Sequence, residues 1–201
     1  MTDKATVSTY DNSAEKLAAY FAGIGSRLDI IEEVLKLARK TKDTRVVEVG
    51  CGDGRDAEDI VPIVDWYEGF DPSIELIKLA CKRLPEARFV QADALSYDYP
   101  PNLDAIFGFA SYLHLNREDF EKACHKAAKA LRPGGVLAMT LKERDSYQEE
   151  LVEDEFGKRW FYHYDEATVK QLLGKEFNLI KIERRTLKRK TAKWLVVIAK
   201  K

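Results

Sequence analysis

The sequence predicts an α/β fold: a doubly wound three-layer sandwich around a seven-stranded, mostly parallel sheet that closes with a C-terminal antiparallel hairpin. Three observations carry this expectation. Between residues 45 and 141, apolar runs of strand length alternate with stretches of helical period, the pattern of successive βαβ units. Those runs are apolar nearly throughout, as in a sheet covered on both faces. The last two runs, 177–187 and 193–200, are joined by the short basic turn Lys188-Arg189-Lys190. No crossover helix fits there, so the two must lie antiparallel.

Each element has its own signal. Residues 13–41 carry two helical patterns separated by Gly23-Ile24-Gly25-Ser26, and the second places Ile30, Ile31, Val34, Leu35 and Leu37 on one face. Arg45–Val49 reads as the first buried strand and runs into a glycine-rich turn, after which residues 56–64 suit a short helix. Residues 66–70 form the second strand, closed by Asp71-Pro72-Ser73, and Ser73 can N-cap the helix that follows. Arg88–Gln91 is the third strand and Leu103–Phe109 the fourth. Asn116 caps a helix through Leu131, which stops at Arg132-Pro133-Gly134-Gly135 before a fifth strand over 136–141. A helix near Glu166–Leu173 precedes the terminal hairpin.

The bulk properties narrow the function. With 201 residues, the chain is expected to form a single domain, 1–201, with N-terminal helices or a lid over 1–41 and an insertion over 142–164. The formal net charge of -1 gives no global field for nucleic acid or an anionic membrane. Cys51, Cys81 and Cys124 are scattered and lack CxxC spacing, which argues against a disulfide framework and a structural zinc. No His/Cys/Asp cluster has metal-ligand spacing, so no metal is expected. A polar N-terminus without an apolar core segment, and no apolar run long enough to span a bilayer, point to a reduced cytoplasmic setting.

The chemistry begins at Val46-Val47-Glu48-Val49-Gly50-Cys51-Gly52-Asp53-Gly54. A strand running into a glycine-rich turn and a helix start brings bare backbone close to a ligand, and the helix N-terminus favours an anionic group. The spacing is GxGxG; a dinucleotide fingerprint would need glycine where Arg55 stands. Asp71 ends the second strand, about 20 residues on, where a carboxylate can accept hydrogen bonds from both ribose hydroxyls. Val90-Gln91-Ala92-Asp93-Ala94 follows the third strand, where Asp93 can accept from an adenine amino group. Turn residues and a solvated loop aspartate are the plainer readings of Asp71 and Asp93 taken singly.

At these residues the chain resembles the class I S-adenosylmethionine-dependent methyltransferases, which are Rossmann-like, and within them the type 11 group. VVEVGCGDG, YEGFDPS, FVQADAL, IFGFASYLHL and ALRPGGVLAMTLK stand in that family's motif order, and the terminal hairpin is its ending. The resemblance implies S-adenosylmethionine as cofactor and S-adenosylhomocysteine as product. It implies that Gly50, Cys51, Gly52 and Gly54 border the methionine part, with Glu48 beneath, and that Asp71 holds the ribose with Pro72 shaping the pocket. It places Asp93 and Ala94 at the adenine, and Phe109, Ala110 and Ser111 beside the sulfonium. Arg55 either approaches the methionine carboxylate or is an exposed arginine at a helix start.

The acceptor's surroundings are read from topology. Tyr112 and His114 follow the fourth strand at the C-terminal edge of the sheet, where ligands bind in open α/β folds. His114 can serve as a base or as a structural histidine, and Tyr10 as a lid residue or part of a frayed end. The 142–164 segment holds Trp160, Phe161, Tyr162, His163 and Tyr164, which line an acceptor pocket, pack the segment onto the sheet, or both, with Trp160, Tyr162 and His163 as the acceptor candidates. The basic residues of the terminal hairpin read as an edge that resists strand pairing, or as a contact for an acidic partner or RNA.

The expected function is methyl transfer to a small-molecule acceptor by a monomer or homodimer, without membrane or nucleic-acid partners. RNA or protein methylation and a non-catalytic cofactor-binding scaffold are the alternatives. A nicotinamide enzyme is disfavoured by the glycine spacing and the hairpin.

Overall fold

The computed structural model describes residues 2–38, 43–186 and 192–201. The basic turn at 188–190 lies outside them. The strands are β1 (Arg45–Val49), β2 (Trp66–Asp71), β3 (Arg88–Gln91), β4 (Leu103–Phe109), β5 (Leu131–Lys142), β6 (Gln148–Asp154), β7 (Gly157–His163), β8 (Asn178–Thr186) and β9 (Lys193–Lys200). The helices are α1 (Lys4–Asn12), α2 (Ala14–Ala22), α3 (Leu28–Leu37), α4 (Ala57–Ile60), α5 (Ile74–Arg83), α6 (Arg117–Ala130) and α7 (Glu166–Leu173). The seven-stranded sheet has the order β3-β2-β1-β4-β5-β9-β8. The first five strands run parallel and β9 is antiparallel to both its neighbours, as the hairpin argument requires.

Alternation along the apolar strands divides the core. Val47, Ile106, Leu137 and Val197 face α6 and α7, packing with Phe120, Cys124 and Val169. Their neighbours Val46, Ala105, Val136 and Val196 face α3 and α4, packing with Ile31, Val34 and Ile60. Both sets are buried; a two-sided core explains why these strands show no polar alternation. Ser73 and Asn116 cap α5 and α6 by accepting from Leu76 N and Asp119 N.

Three features differ from expectation. Residues 4–12 form α1, N-capped by Asp3 and weakly amphipathic; its order rests on tertiary hydrogen bonds. The 142–164 segment is largely a β6–β7 ribbon paired from Gln148↔His163 to Asp154↔Gly157. The Arg132-Pro133-Gly134-Gly135 stop is part of β5, which continues past a register shift opposite Leu103/Ala105.

Candidate active site

The C-terminal ends of β1, β2, β4 and β5 floor a cavity of about 1220 Å³, with α1, α2 and the β6–β7 ribbon also among its walls. The N-terminal helices are tied to the ribbon. Thr6 Oγ1 accepts from Trp160 N at 2.9 Å, and Thr9 Oγ1 and Ser13 Oγ donate to Lys158 O and Phe156 O at 2.7 and 2.8 Å. They are tied to the sheet as well: Asp11 accepts from Ser73 Oγ at 2.6 Å, and Asp93 accepts from Thr2 N at 2.7 Å.

The glycine turn divides its tasks. Gly50, Gly52 and Gly54 all have positive φ. An added Cβ at Gly50 would overlap Ser111, and one at Gly54 would press on Ala80 and Phe89, whereas one at Gly52 meets no protein atom within 4 Å. Gly52 is therefore the position where bare backbone faces open cavity. Gly50, Cys51 and Gly52 line the cavity, and Gly54 packs against α5.

Asp71 is buried beside this turn. Its carboxylate accepts from Gly52 N at 3.1 Å and Ser73 N at 2.9 Å, so acceptor lone pairs remain for a ligand. Burial pushes its pKa up to about 6 against the pull of those two hydrogen bonds. Glu48 lies below, accepting from Tyr67 OH at 2.5 Å, and burial raises it well above the usual carboxylate range. Arg55 bonds Asp56 and Phe21 O, and Asp56 also pairs with Arg27. Asp93 accepts from Leu95 N at 3.0 Å and from Thr2 N, and its neighbour Ala94, not Asp93, borders the cavity with Pro72.

Phe109, Ala110 and Ser111 also border it. Ala110 holds φ at 53° while its N–H donates to Thr140 Oγ1 at 2.8 Å; a non-glycine residue in this region is strained. Beyond it, Tyr112 is fully buried, and His114 lies among Tyr10, Trp160 and Phe161. His114 Nδ1 lies 2.7 Å from Trp160 O, so it carries the proton and donates. Nε2 then accepts from Tyr10 OH at 2.9 Å. Burial, with Lys142 and Arg159 nearby, lowers His114 to about 4, and burial raises Tyr10 to about 12. Both are neutral near pH 7.

In the ribbon, side chains alternate. Trp160 and Tyr162 share one face, their rings 6.3 Å apart and nearly parallel, while Arg159, Phe161 and His163 share the other and are buried. Arg159 and Phe161 line the cavity; Trp160, Tyr162 and His163 do not. Trp160 contributes its backbone carbonyl, and His163 pairs with Glu150. Lys142 and Arg159 were not singled out in the sequence, and Phe161 was named there only as one of the segment's aromatic residues. Lys142 stands at the C-terminal end of a parallel strand, a position that marks ligand contacts in such sheets, and strict alternation would have separated Arg159 and Phe161 from Trp160 and Tyr162.

Residues 46–135, which hold the glycine turn, Asp71 and Asp93, match the family model described as a methyltransferase domain. Over this stretch the chain resembles a methyltransferase domain. Trans-aconitate 2-methyltransferase of Rhizobium leguminosarum bv. trifolii is 33% identical over 104 residues, 51% of this chain and 40% of that protein. The chain spans about two fifths to a half of the length of the curated relatives it matches first. The Burkholderia thailandensis 1,6-didemethyltoxoflavin-N1-methyltransferase, solved with 1,6-didemethyltoxoflavin and S-adenosylhomocysteine, superposes with TM-score 0.77 at 19% identity, over 97% of this chain and 86% of that one. A Clostridium acetobutylicum S-adenosylmethionine-dependent methyltransferase gives 0.74 at 15% identity, over 94% and 99%. Among the described residues no helix is long and apolar enough to cross a membrane.

Proposed function

We propose that this chain transfers a methyl group from S-adenosylmethionine to a small-molecule acceptor, leaving S-adenosylhomocysteine. One observation carries the reading: a single cavity joins the glycine turn and Asp71 to the ribbon and Lys142, so donor and acceptor can share one chamber. The residues present fit the donor. Gly52 leaves the space that a Cβ would take, and Asp71 keeps free acceptor lone pairs beside it. Gly50, Cys51 and Gly52 would hold the methionine part, Asp71 and Pro72 the ribose, and Ala94 the adenine edge, with Phe109 to Ser111 beside the sulfonium.

When bound, the cofactor supplies an electrophilic methyl group on a sulfonium that departs as a neutral thioether. The chain's own work is positioning and exclusion of water. Helix α1 and the ribbon enclose the acceptor end, and the Tyr10–His114–Trp160 carbonyl chain fixes the Tyr10 hydroxyl at the cavity wall. Walls of this kind favour a small acceptor over an RNA or protein segment. The free thiols of Cys51, Cys81 and Cys124 suit a reduced cytoplasm. We read residues 1–201 as one domain acting as a monomer or homodimer without a nucleic-acid partner.

Calorimetry tests the donor: the protein should bind S-adenosylhomocysteine and ignore NAD. Tight NAD binding without affinity for S-adenosylhomocysteine would overturn the reading. Incubation with S-adenosylmethionine and metabolite pools, followed by mass spectrometry for newly methylated species, tests the acceptor class.

A further inference from the structure

The cations that line the cavity have carboxylate partners with one exception among the described residues. Arg27 and Arg55 share Asp56, Arg185 bonds Asp29 and Glu183, and Arg159 holds Asp154. Lys142 also lines the cavity, yet among the described residues no carboxylate lies within ion-pair distance of it. Its Nζ sits 3.3 Å from the centroid of the Phe161 ring, and the guanidinium carbon of Arg159 sits 5.3 Å from the same centroid.

Two like charges thus flank one aromatic ring, and the carboxylates that act on Lys142 from a distance are engaged elsewhere, Glu150 with Arg144 and His163 and Asp154 with Arg159. The arrangement is costly without a further anion: burial, with Arg159 close by, lowers Lys142 to about 8. The cation–π contact offsets part of the cost, but it leaves the ammonium without a charged hydrogen-bond acceptor. With Asp154 matched to Arg159 and Glu150 to Arg144, the charge of Lys142 is the one left over, which matches a carboxylate better than a dianion.

Resting on the methyl-transfer reading above, we infer that the acceptor is a carboxylic acid whose carboxylate is held by Lys142, with Arg159 beside it, against the Phe161 ring. The neutral Tyr10–His114 pair has both its protons donated already, so Tyr10 presents only oxygen lone pairs and suits a hydroxyl or N–H of the same acceptor away from its carboxylate. An arginine and a lysine at one wall suit a planar carboxylate, since both are donors only.

The test uses two monocarboxylate probes, hexanoate and benzoate, each against its uncharged methyl ester or amide, by calorimetry with and without S-adenosylhomocysteine. At least one acid should bind about tenfold or more tightly than its neutral counterpart, a difference that one well-placed ion pair supplies. Lys142→Met should erase that preference and Lys142→Arg should keep most of it, with S-adenosylhomocysteine affinity unchanged in both. Acids and neutral counterparts binding alike, or a preference that survives Lys142→Met, would overturn the inference while leaving the donor site intact. Wild-type protein that prefers the acids yet fails to bind S-adenosylhomocysteine would overturn the methyl-transfer reading and leave the anion site standing. Preference lost in Lys142→Arg as fully as in Lys142→Met would assign Lys142 a role other than charge.

Discussion

At the scale of single residues, the three glycines of the first turn are not equivalent. Gly52→Ala adds a Cβ that meets only open cavity, so its cost to stability is the left-handed backbone alone, about 1–2 kcal/mol. Its cost to S-adenosylhomocysteine binding should be tenfold or more. Gly50→Ala overlaps Ser111 and should destabilise by about 2–4 kcal/mol. Denaturant titration and calorimetry on both variants separate the ligand-facing glycine from the packed one; equal stability losses would show that the Gly52 position is packed too. Asp71→Ala should weaken S-adenosylhomocysteine binding by about 1–3 kcal/mol. It also frees the N–H groups of Gly52 and Ser73, so a lower melting temperature should accompany the loss. Unchanged affinity would leave Asp71 as a turn residue only.

His114 carries a pH signature of its own. Its folded pKa, near 4, lies below the ordinary value of 6.5, so the folded state binds fewer protons than the unfolded one. The associated stability is therefore present above pH 6.5 and is lost as pH falls toward 4. Over that window wild-type protein should lose on the order of 3 kcal/mol more than His114→Phe. Urea titrations at successive pH values check this, and parallel curves for the two proteins would mean that His114 is hydrated and freely protonated.

At the scale of elements, the ribbon separates two faces. Phe161 and Arg159 meet the cavity, whereas Trp160 and Tyr162 stack on the opposite side. Phe161→Ala should raise the apparent acceptor constant severalfold or slow transfer, with S-adenosylhomocysteine affinity nearly intact. Trp160→Ala should leave both constants near wild type, because its contribution to His114 is a backbone carbonyl that alanine retains. Steady-state kinetics on the two variants decides the matter; a larger effect at Trp160 would reverse the assignment of faces. Alternation of side chains across a strand is legible in principle, but only once residues 157–163 are known to be extended. A solvated two-stranded ribbon carries too little apolar pattern to announce itself, since its outer strand β6 is mostly exposed.

At the scale of the whole molecule, the N-terminal helices act as a clasp between ribbon and sheet. Thr6, Thr9 and Ser13 bond the ribbon, Asp11 bonds Ser73, and Tyr10 bonds His114. Removing residues 1–13 should spare the sheet core, speed amide exchange in β6 and β7, and weaken S-adenosylhomocysteine binding. Hydrogen exchange with mass spectrometry checks all of this, and unaltered exchange in the ribbon would show that it holds itself in place. The sheet, the hairpin and the glycine-rich turn were legible in the sequence, down to Ser73 and Asn116 as caps. These follow from local rules: apolar period, capping chemistry and the length of chain available between elements. Tertiary structure alone decided α1, the ribbon, the diversion of Asp93 to Thr2 N, and the meeting of Tyr10, His114, Lys142 and Arg159 around one cavity. The contacts that bring in the N-terminus join residues far apart in sequence: 91 positions for Thr2 with Asp93, 104 for Tyr10 with His114 and 154 for Thr6 with Trp160. A weakly amphipathic helix and a polar ribbon gain their order from each other, and neither pattern contains the information about its partner.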